Sequence, residues 1–408
     1  MKQIVALIAL AVGVGLEATA QTTDADALSR ARSVGNSARS QKVFYQKEFD
    51  LSGLPVYDPS REVEGNISLW GNNYVADSGL LDVWKEEFTS FHPDVTFDER
   101  LYSSSVGFPG LIAGTADLAL MGRQALWDEL KGVERTVAGD ASLEADTPEL
   151  VEIVMATGSY NVRGWTFALG VFVNEDNPIE CLSMDQLDGI FGAERDGGWD
   201  GLTWRTDLAR TAEGNIRTWG DVGLSGEWSG RGITVYGYNS KYHFNDEIDK
   251  KVLKGSGKWV ESMRAYSNVA GLKADGSLTA GGELIMNGLA GDVGGIAYTG
   301  VPFLNSGTKA IALAPNEGGA CIPLTLDTVQ DRTYPLIRDV YIYFLRSEAR
   351  PLSEPAEEFM KYILSQQGQA AIQRDGKYLP LTEEAAKEQL QKLLPPGNSR
   401  QGAAEDCP

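Results

Sequence analysis

The chain has 408 residues, of which 42% are hydrophobic, and a formal net charge of −21 at pH 7. This length allows two lobes of ordinary domain size, and the apolar fraction is normal for a protein with a packed core. The excess of acidic residues argues against binding to nucleic acid or to an anionic membrane surface, because both are bound through clustered Lys and Arg. A small anion is not excluded, because a local pocket of backbone N–H groups and one arginine can hold it.

The first twenty residues have the pattern of a signal peptide. Lys2 supplies a short positive region, residues 4–16 are apolar apart from glycines, and Ala-Thr-Ala at 18–20 is a small-x-small cleavage site. The apolar run is shorter than the ~20 residues that span a bilayer. We expect export to the periplasm or beyond (periplasmic or secreted), with a retained anchor as the alternative, no further membrane insertion, and a polar leader over residues 21–63 that drapes over the first lobe.

Strand, small-residue loop and helix alternate in the next part of the chain. Strands are predicted at residues 67–70, 95–97 and 116–120, and loops of small or polar residues follow them at 71–73, 103–107 and 122–123. Asp77 or Ser78 can cap a helix with an apolar stripe from Leu80 to Phe91, and Pro109 suits the first turn of a short helix. This alternation predicts an α/β lobe with a mostly parallel sheet, in which ligands sit at the carboxyl ends of the strands.

The remaining chain is predicted to build a second lobe and then to return to the first. The acidic stretch at 132–148 is interpreted as a surface insertion, and the apolar residues of 195–228 show no clear periodicity. The tryptophans in that tract are predicted to pack in the core, with contact to a sugar-like or protein partner as the alternative. Further strands are predicted at 167–173, 233–236, 294–298, 310–314 and 340–345, and helices near 244–252, 357–364 and 383–394. Lobe one would comprise residues 64–164 and 330–394 and lobe two residues 165–329, with a flexible tail at 395–408.

Motifs of the common enzyme classes do not occur in the sequence. His92 and His243 are its two histidines, and no HExxH, CxxC, Walker loop, GxSxG elbow or dinucleotide-binding GxGxxG fingerprint is present. The cysteines, Cys181, Cys321 and Cys407, match no metal site, and the sequence does not decide which of them pair in an oxidising compartment. We expect no enzyme, no catalytic residues, no cofactor and no metal; a phosphate-ester hydrolase is a hypothesis without a visible nucleophile–base pair.

Passages along most of the chain have the order and spacing of one known family. They are residues 67–75 with the helix that follows, 114–119 (GTADLA), 173–179 (VNEDNPI), 218–221 (TWGD), 334–338 (YPLIR) and 378–381 (YLPL). Over residues 65–394 the chain resembles the phosphate-binding (substrate-binding) proteins of phosphate ABC transporters, a branch of the type II periplasmic binding proteins. The resemblance implies two α/β lobes that are joined by crossover strands, close on phosphate and hand it to a membrane permease.

The ligand loops of that family fall on residues that keep its pattern only in part. In lobe two, the family's Gly-Arg-Asn-x-x-Ser-Gly-Thr falls on residues 237–244, so that its arginine becomes Tyr238 and its Ser-Gly-Thr becomes Tyr-His-Phe. At each position the alternative is an ordinary turn, packing or ion-pair role. The predicted ligand-binding residues are Asn72, Asn73, Tyr74, Ser104, Arg123, Tyr238, Lys241 and His243.

The sequence therefore predicts an exported, monomeric solute-binding protein that captures a small anion, with phosphate as the first choice, in an interlobe cleft for ABC-type import. Hinge closure would bury the ligand, and Arg123 would face inward from lobe one. Loss of the arginine and of the glycine turn removes one charge-assisted pair and the close approach of the backbone. This leaves two alternatives open, a different solute or an extracellular interaction or structural protein with a decayed pocket.

Overall fold

The computed structural model describes residue 34 and residues 42–139, 148–240, 242–348 and 350–394. The predicted signal peptide, most of the leader before residue 42, Lys241, Cys407 and the predicted tail lie outside these residues. Within the described ranges, no helix has both the length and the apolar character that crossing a bilayer requires.

The described chain alternates between strands and helices. The strands are β1 (Gly65–Gly71), β2 (Val95–Leu101), β3 (Leu118–Met121), β4 (Glu149–Thr157), β5 (Gly170–Asn174), β6 (Cys181–Ser183), β7 (Gly198–Asp200), β8 (Thr203–Arg205), β9 (Thr234–Tyr238), β10 (Arg264–Tyr266), β11 (Val269–Leu272), β12 (Leu278–Ala280), β13 (Gly295–Thr299), β14 (Thr308–Ala310), β15 (Ala312–Ala314) and β16 (Asp339–Arg346). The helices are α1 (Tyr74–Asp77), α2 (Leu80–Thr89), α3 (Gly107–Ile112), α4 (Trp127–Gly139), α5 (Met184–Phe191), α6 (Phe244–Lys251), α7 (Gly281–Ala290), α8 (Leu326–Gln330), α9 (Glu354–Ile363), α10 (Gln366–Asp375) and α11 (Glu383–Lys392).

Two five-stranded sheets organise these elements. The first has the order β2-β1-β3-β16-β4, with β1 parallel to β2 and β3, and with β16 antiparallel to β3 and β4. The second has the order β10-β9-β13-β5-β14, with β9 parallel to β10 and β13, and with β5 antiparallel to β13 and β14. The chain leaves the first sheet after β4 and re-enters it at β16, so two crossover segments, residues 158–169 and 331–338, join the two halves. The predicted α/β class is confirmed.

Helix α2 shows how the predicted apolar pattern builds the first half. Its buried face consists of Leu80, Leu81, Trp84 and Phe88. The prediction that Asp77 or Ser78 caps this helix is wrong, because the N-cap residue is Gly79, in the left-handed region at φ 85°, and no side chain caps the helix there. The Ser78 hydroxyl, one residue earlier, accepts a hydrogen bond from the backbone N–H of Leu80 at 3.2 Å. The indole Nε1 of Trp84 donates to the carbonyl of Gly368 at 2.9 Å, which ties α2 to the start of α10.

Several predicted elements differ from the structure. Part of the stretch at 132–148 that was interpreted as a surface insertion is helical, because α4 continues to Gly139, and residues 140–147 lie outside the described residues. The strand predicted from residue 167 begins at Gly170, since residues 158–169 form the crossover, where Ser159 donates to Thr166 and Ala168 donates to Ser159. Helix α10 was not predicted, because its buried positions include a glycine and a glutamine and therefore form no apolar stripe.

The tryptophans of the irregular tract are only partly in the core. Trp219 is fully buried, as predicted, but Trp199 is 37% exposed and Trp204 is 41% exposed. Their rings contact each other at 5.2 Å between centroids, and Trp127 of α4 contacts Trp199 at 5.4 Å. The prediction of core packing is therefore wrong for Trp199 and Trp204, because the β7–β8 hairpin that carries them lies at the surface.

The structure pairs Cys181 with Cys321, one of the combinations that the sequence left open. Their Cα atoms are 6.1 Å apart, and the two residues are separated by 140 positions in the chain. A covalent link across so long a loop limits the conformations of the unfolded chain and so favours the folded second half.

The described part of the leader, residues 42–63, packs on the first half of the molecule. The backbone N–H of Tyr45 donates to the carbonyl of Gly376 at 3.1 Å, at the end of α10. The hydroxyl of Tyr45 accepts hydrogen bonds from the backbone N–H groups of Tyr160 at 2.8 Å and Asn161 at 3.1 Å. The leader therefore connects α10 to the first crossover segment.

His92 lies beneath this leader in a fully bonded, buried position. Its Nδ1 accepts a hydrogen bond from the backbone N–H of Val63 at 3.1 Å, and its Nε2 lies 2.6 Å from the hydroxyl of Tyr57. Because that hydroxyl donates to a carboxylate oxygen of Glu358 at 2.9 Å, it accepts the Nε2 proton of a neutral imidazole. Burial lowers the pKa of His92, against the opposing charges of Glu358 and Glu62.

Acidification should therefore cost the wild-type protein more stability than it costs a His92→Gln variant. An unfolded histidine binds a proton near pH 6.5, whereas the buried imidazole resists protonation, so its contribution is complete above that pH and is lost as the pH falls below it. Urea titrations of both proteins between pH 7 and pH 5 measure the difference, and the other carboxyl groups contribute to both curves alike. If the free energies of unfolding of the two proteins fell equally between pH 7 and pH 5, His92 would not be a buried, neutral imidazole.

Candidate functional site

Three strand-end loops of the first sheet meet around Gly122. The side-chain amide of Asn72 donates to Ser104 Oγ at 3.2 Å, and the backbone N–H of Gly122 lies 3.4 Å from the same oxygen. Because Ser104 Oγ accepts from both groups and no described residue accepts its own hydrogen, that hydroxyl is ready to donate to a ligand. The loops after β1, β2 and β3 thus place hydrogen-bond donors together, at the edge of the sheet where the sequence predicted a site.

A side chain at position 122 would crowd two polar neighbours. A Cβ there would lie 3.1 Å from both the amide nitrogen of Asn72 and the hydroxyl of Thr166. Thr166, in the first crossover, donates to the carbonyl of Gly122 at 3.0 Å. Glycine at this position therefore keeps the backbone accessible between the polar groups of lobe one and the crossover.

Asn73 and Tyr74 are arranged by the short helix α1. The amide of Asn73 donates to Asp77 Oδ2 at 2.6 Å, which directs this side chain along its own helix turn. The Tyr74 backbone N–H donates to Asn72 Oδ1 at 2.7 Å, and its ring meets the edge of Trp165 at 5.8 Å between centroids. Asn72 and Tyr74 therefore face the crossover, whereas the Asn73 side chain has a partner within α1.

Arg123 is held in an ion pair within lobe one. Its guanidinium forms a two-pronged contact with Glu129 at 2.7 and 2.8 Å and donates to the carbonyl of Gln124 at 3.0 Å. The residue is 9% exposed. Burial lowers the pKa of His243, and the charge of Arg123 adds to that effect; burial raises the pKa of Asp246, and the same charge opposes that effect. The arginine that the sequence analysis placed first is thus near the cleft but committed to Glu129.

Tyr238 packs inside the second half. Its hydroxyl lies 2.7 Å from the hydroxyl of Thr299, and its ring contacts those of Tyr242 and Phe244 at 5.1 and 5.0 Å. Burial raises the pKa of Tyr238 well above its usual value, so the phenol stays neutral. The structure therefore gives Tyr238 a hydrogen-bond partner away from the donors around Gly122.

Aromatic residues at the start of α6 form the wall that faces lobe one. The ring of Tyr242 contacts His243 at 4.4 Å and Phe244 at 4.5 Å. Burial raises the pKa of Tyr242 well above its usual value, and the neighbouring phenols, Tyr74 of lobe one first, raise it further. Burial lowers the pKa of the His243 imidazole well below its usual value, and the charges of Arg338 and Arg123 lower it further. The wall is thus uncharged. Lys241, the remaining predicted residue, lies outside the described residues.

Arg338 is the residue that the sequence analysis did not select. It ends the YPLIR passage, which was used only as a point of resemblance, and it is 2% exposed in the structure. Its guanidinium lies 4.7 Å above the ring of Phe244. Its Nη atoms lie 3.4 Å from the carbonyls of Phe167 and Gly122, and its Nε lies 3.6 Å from Glu247 Oε1. A guanidinium therefore stands between the donor loops of lobe one and helix α6.

Helix α6 also links the two halves directly through its last turn. The ammonium group of Lys250 donates to the carbonyl of Ala125 in the first half, and that of Lys251 donates to the carbonyl of Ile337 in the second crossover. Burial lowers the pKa of Lys250, with nearby carboxylates opposing this effect. The two halves are therefore in contact across the candidate site in this structure.

The chain is similar to known proteins over most of its length. Residues 71–367 match the family model described as a PBP superfamily domain. Among curated proteins, the phosphate-binding protein PstS of Pseudomonas aeruginosa is 28% identical over 344 residues, which cover 83% of this chain and 90% of that protein. The phosphate-binding protein PstS of Staphylococcus aureus (strain MRSA252) is 23% identical over 336 residues, covering 81% of this chain and 83% of that protein.

Solved structures were also matched. A possible phosphate binding protein from Planctomyces limnophilus has a TM-score of 0.43 and 20% identity, covering 81% of this chain and 98% of its own. An ABC-type phosphate transport receptor from Vibrio cholerae has a TM-score of 0.46 and 17% identity, covering 77% of this chain and 99% of its own.

Proposed function

Because the chain belongs to the PBP superfamily, we propose that it is an exported solute-binding protein that captures phosphate between its two lobes for import by an ABC-type permease. The family match extends over residues 71–367, and it confirms the fold class and the resemblance predicted from the sequence. The curated relatives described above carry the name of phosphate-binding proteins, which supports phosphate as the ligand.

The donor cluster around Gly122 is the observation that carries this proposal. A desolvated phosphate exposes many acceptor oxygens, and each one left unpaired costs free energy. The amide of Asn72 and the backbone N–H of Gly122 both donate to Ser104 Oγ, so that the hydrogen of this hydroxyl is directed to a ligand, and the guanidinium of Arg338 adjoins the cluster. This set offers donors and positive charge inside a protein whose net charge is −21, as local capture of an anion requires.

Capture would proceed by closure, without bond chemistry. Lobe one, residues 64–164 and 330–394, and lobe two, residues 165–329, would separate at the crossover segments and close on the ligand. Phosphate favours the closed form only by the additional contacts that it makes there. The protein would act as a monomer in the periplasm or outside the cell, and the permease would recognise the closed form.

Calorimetry of the mature protein with phosphate tests this function. We expect binding with a Kd in the micromolar range or tighter, and about tenfold weaker binding in a Ser104→Ala variant, because one hydrogen bond to a charged ligand contributes roughly 1.5 kcal/mol. Ser105→Ala is the matched control: this neighbouring hydroxyl is exposed and lies 3.0 Å from that of Ser103, so affinity should not change. Absence of heat with phosphate would overturn the proposal.

A further inference from the structure

We propose that Arg338 is the residue that supplies the positive charge of the phosphate site and pairs with two oxygens of the bound anion. This assignment rests on the proposed function and identifies a ligand residue within it. Arg338 belongs to the second crossover, so it was not among the strand-end loops from which the sequence analysis chose its candidates.

The hydrogen bonds of Arg338 are unusually loose for a buried guanidinium. Both of its contacts with backbone carbonyls are 3.4 Å long, and its Nε has no hydrogen-bond partner among the described residues. Well-formed N–H···O bonds are 2.7–3.2 Å long. Arg195, which is also buried, forms two bonds of 2.6 and 2.7 Å with the carboxylate of Asp188. Arg338 therefore retains donor capacity that Arg195 has already used.

Its position joins the two sides of the cleft. On the lobe-one side, one Nη contacts the carbonyl of Gly122, whose N–H belongs to the Ser104 donor cluster. On the lobe-two side, the guanidinium stacks on Phe244, and its charge lowers the pKa of His243. An anion bound to the donors of lobe one would thus meet this guanidinium and the α6 wall together.

Glu247 balances the charge of Arg338. Its Oε1 lies 3.6 Å from Arg338 Nε, and its Oε2 has no hydrogen-bond partner among the described residues. Lys251 also lies 3.9 Å from this carboxylate. An ion pair at 3.6 Å lowers the free-energy cost of burying the guanidinium, but it does not occupy the two N–H groups that can donate side by side. Phosphate can therefore accept two parallel hydrogen bonds from Arg338.

The other cation nearby is less suited to this role. Arg123 already forms a two-pronged pair with Glu129 at 2.7 and 2.8 Å, and phosphate would have to break that pair. A guanidinium that is held by long contacts can reorient at a smaller cost. The geometry therefore favours Arg338 over Arg123 as the phosphate partner.

The test is calorimetry with inorganic phosphate on the mature wild-type protein and on an Arg338→Lys variant. Lysine keeps the charge but not the planar fork, so we expect binding to weaken by about tenfold or more. Arg332→Lys is the matched control. This arginine lies in the same crossover but pairs with Asp339 at 2.7 and 2.8 Å, so phosphate affinity should stay within about threefold of wild type.

A second variant, Glu247→Gln, should change the affinity for phosphate in the opposite direction. Removing this carboxylate releases Arg338 and removes a negative charge near the anion, so phosphate should bind several-fold more tightly. A purely structural role of Arg338 predicts no such gain. This measurement keeps the proposal falsifiable if Arg338→Lys fails to fold.

The outcomes separate this inference from the proposed function. If wild type binds phosphate and Ser104→Ala weakens it, but Arg338→Lys has wild-type affinity or Glu247→Gln binds no more tightly, then Arg338 is not the partner and the function stands. If wild type binds no phosphate, both are overturned. Weaker binding in Arg338→Lys together with tighter binding in Glu247→Gln supports the assignment.

Discussion

A valine at position 122 should weaken phosphate binding by about 100-fold or more while the protein remains folded. The first added carbon would already lie 3.1 Å from Asn72 Nδ2 and Thr166 Oγ1, and the two methyl groups of valine would fill the space between the donors. Loss of two hydrogen bonds to a charged ligand, at roughly 1.5 kcal/mol each, corresponds to this change in affinity. Calorimetric titration with phosphate measures it directly.

Gly230→Val is the control for this experiment. A Cβ at position 230 would meet no other atom within 4 Å, so valine there should leave phosphate affinity unchanged. Far-UV circular dichroism and urea unfolding establish that both variants are folded. If Gly122→Val binds phosphate within about threefold of wild type, the donors around this glycine do not form the site, and the observation that carries the proposed function is lost.

An Asp188→Ala variant should lose about 3–5 kcal/mol of the free energy of unfolding, which is the usual cost of leaving a buried charge without its partner. Asp188 accepts two hydrogen bonds from Arg195, at 2.6 and 2.7 Å, and lies 3.5 Å from Arg210. The side chains of Asp188 and Arg195 are only 7% and 4% exposed, so water cannot replace the lost carboxylate. Urea unfolding without phosphate measures the effect, since a bound ligand would add stability of its own.

An exposed pair of the same type provides the comparison. Arg205 forms a similar two-pronged contact with Asp207, with both distances 2.8 Å, but these side chains are 45% and 61% exposed. Asp207→Ala should therefore lower the free energy of unfolding far less than Asp188→Ala does, because water solvates both charges when the pair is broken. Equal losses in the two alanine variants would show that burial does not decide the energetics of these pairs.

The strand-end loops illustrate what sequence patterns predict reliably. The loops that contain Asn72 and Ser104 were predicted to lie at one edge because they follow predicted strands of a parallel sheet, and the structure brings the two side chains within 3.2 Å of each other. That inference needs no knowledge of packing, since the carboxyl ends of neighbouring parallel strands lie at one edge of the sheet. The same rule placed the loop at 122–123 at this edge, although the predicted ligand residue there was Arg123 and not Gly122.

Arg338 shows where such patterns stop being informative. Its contact with Gly122 joins residues that are 216 positions apart, through a crossover whose path depends on both halves of the molecule. Arg123, the arginine selected from the sequence, is directed to Glu129 by the course of α4, and the sequence stretch that carries α4 was interpreted in part as an insertion. The residues next to Arg123 and Arg338 in the sequence form no pattern that indicates which of the two guanidinium groups is already paired with a carboxylate.

The order of strands, loops and helices along the chain was enough to determine the α/β class and the edge of the sheet at which the donors gather. These features depend on residue periodicity and on turn-forming residues, which act over a few positions. Only the tertiary structure decided that Cys181 pairs with Cys321, that Tyr238 bonds to Thr299, and that Arg338 faces the donor cluster. Burial and charge pairing depend on contacts between residues far apart in sequence, and these exist only once both sheets and their crossovers are in place.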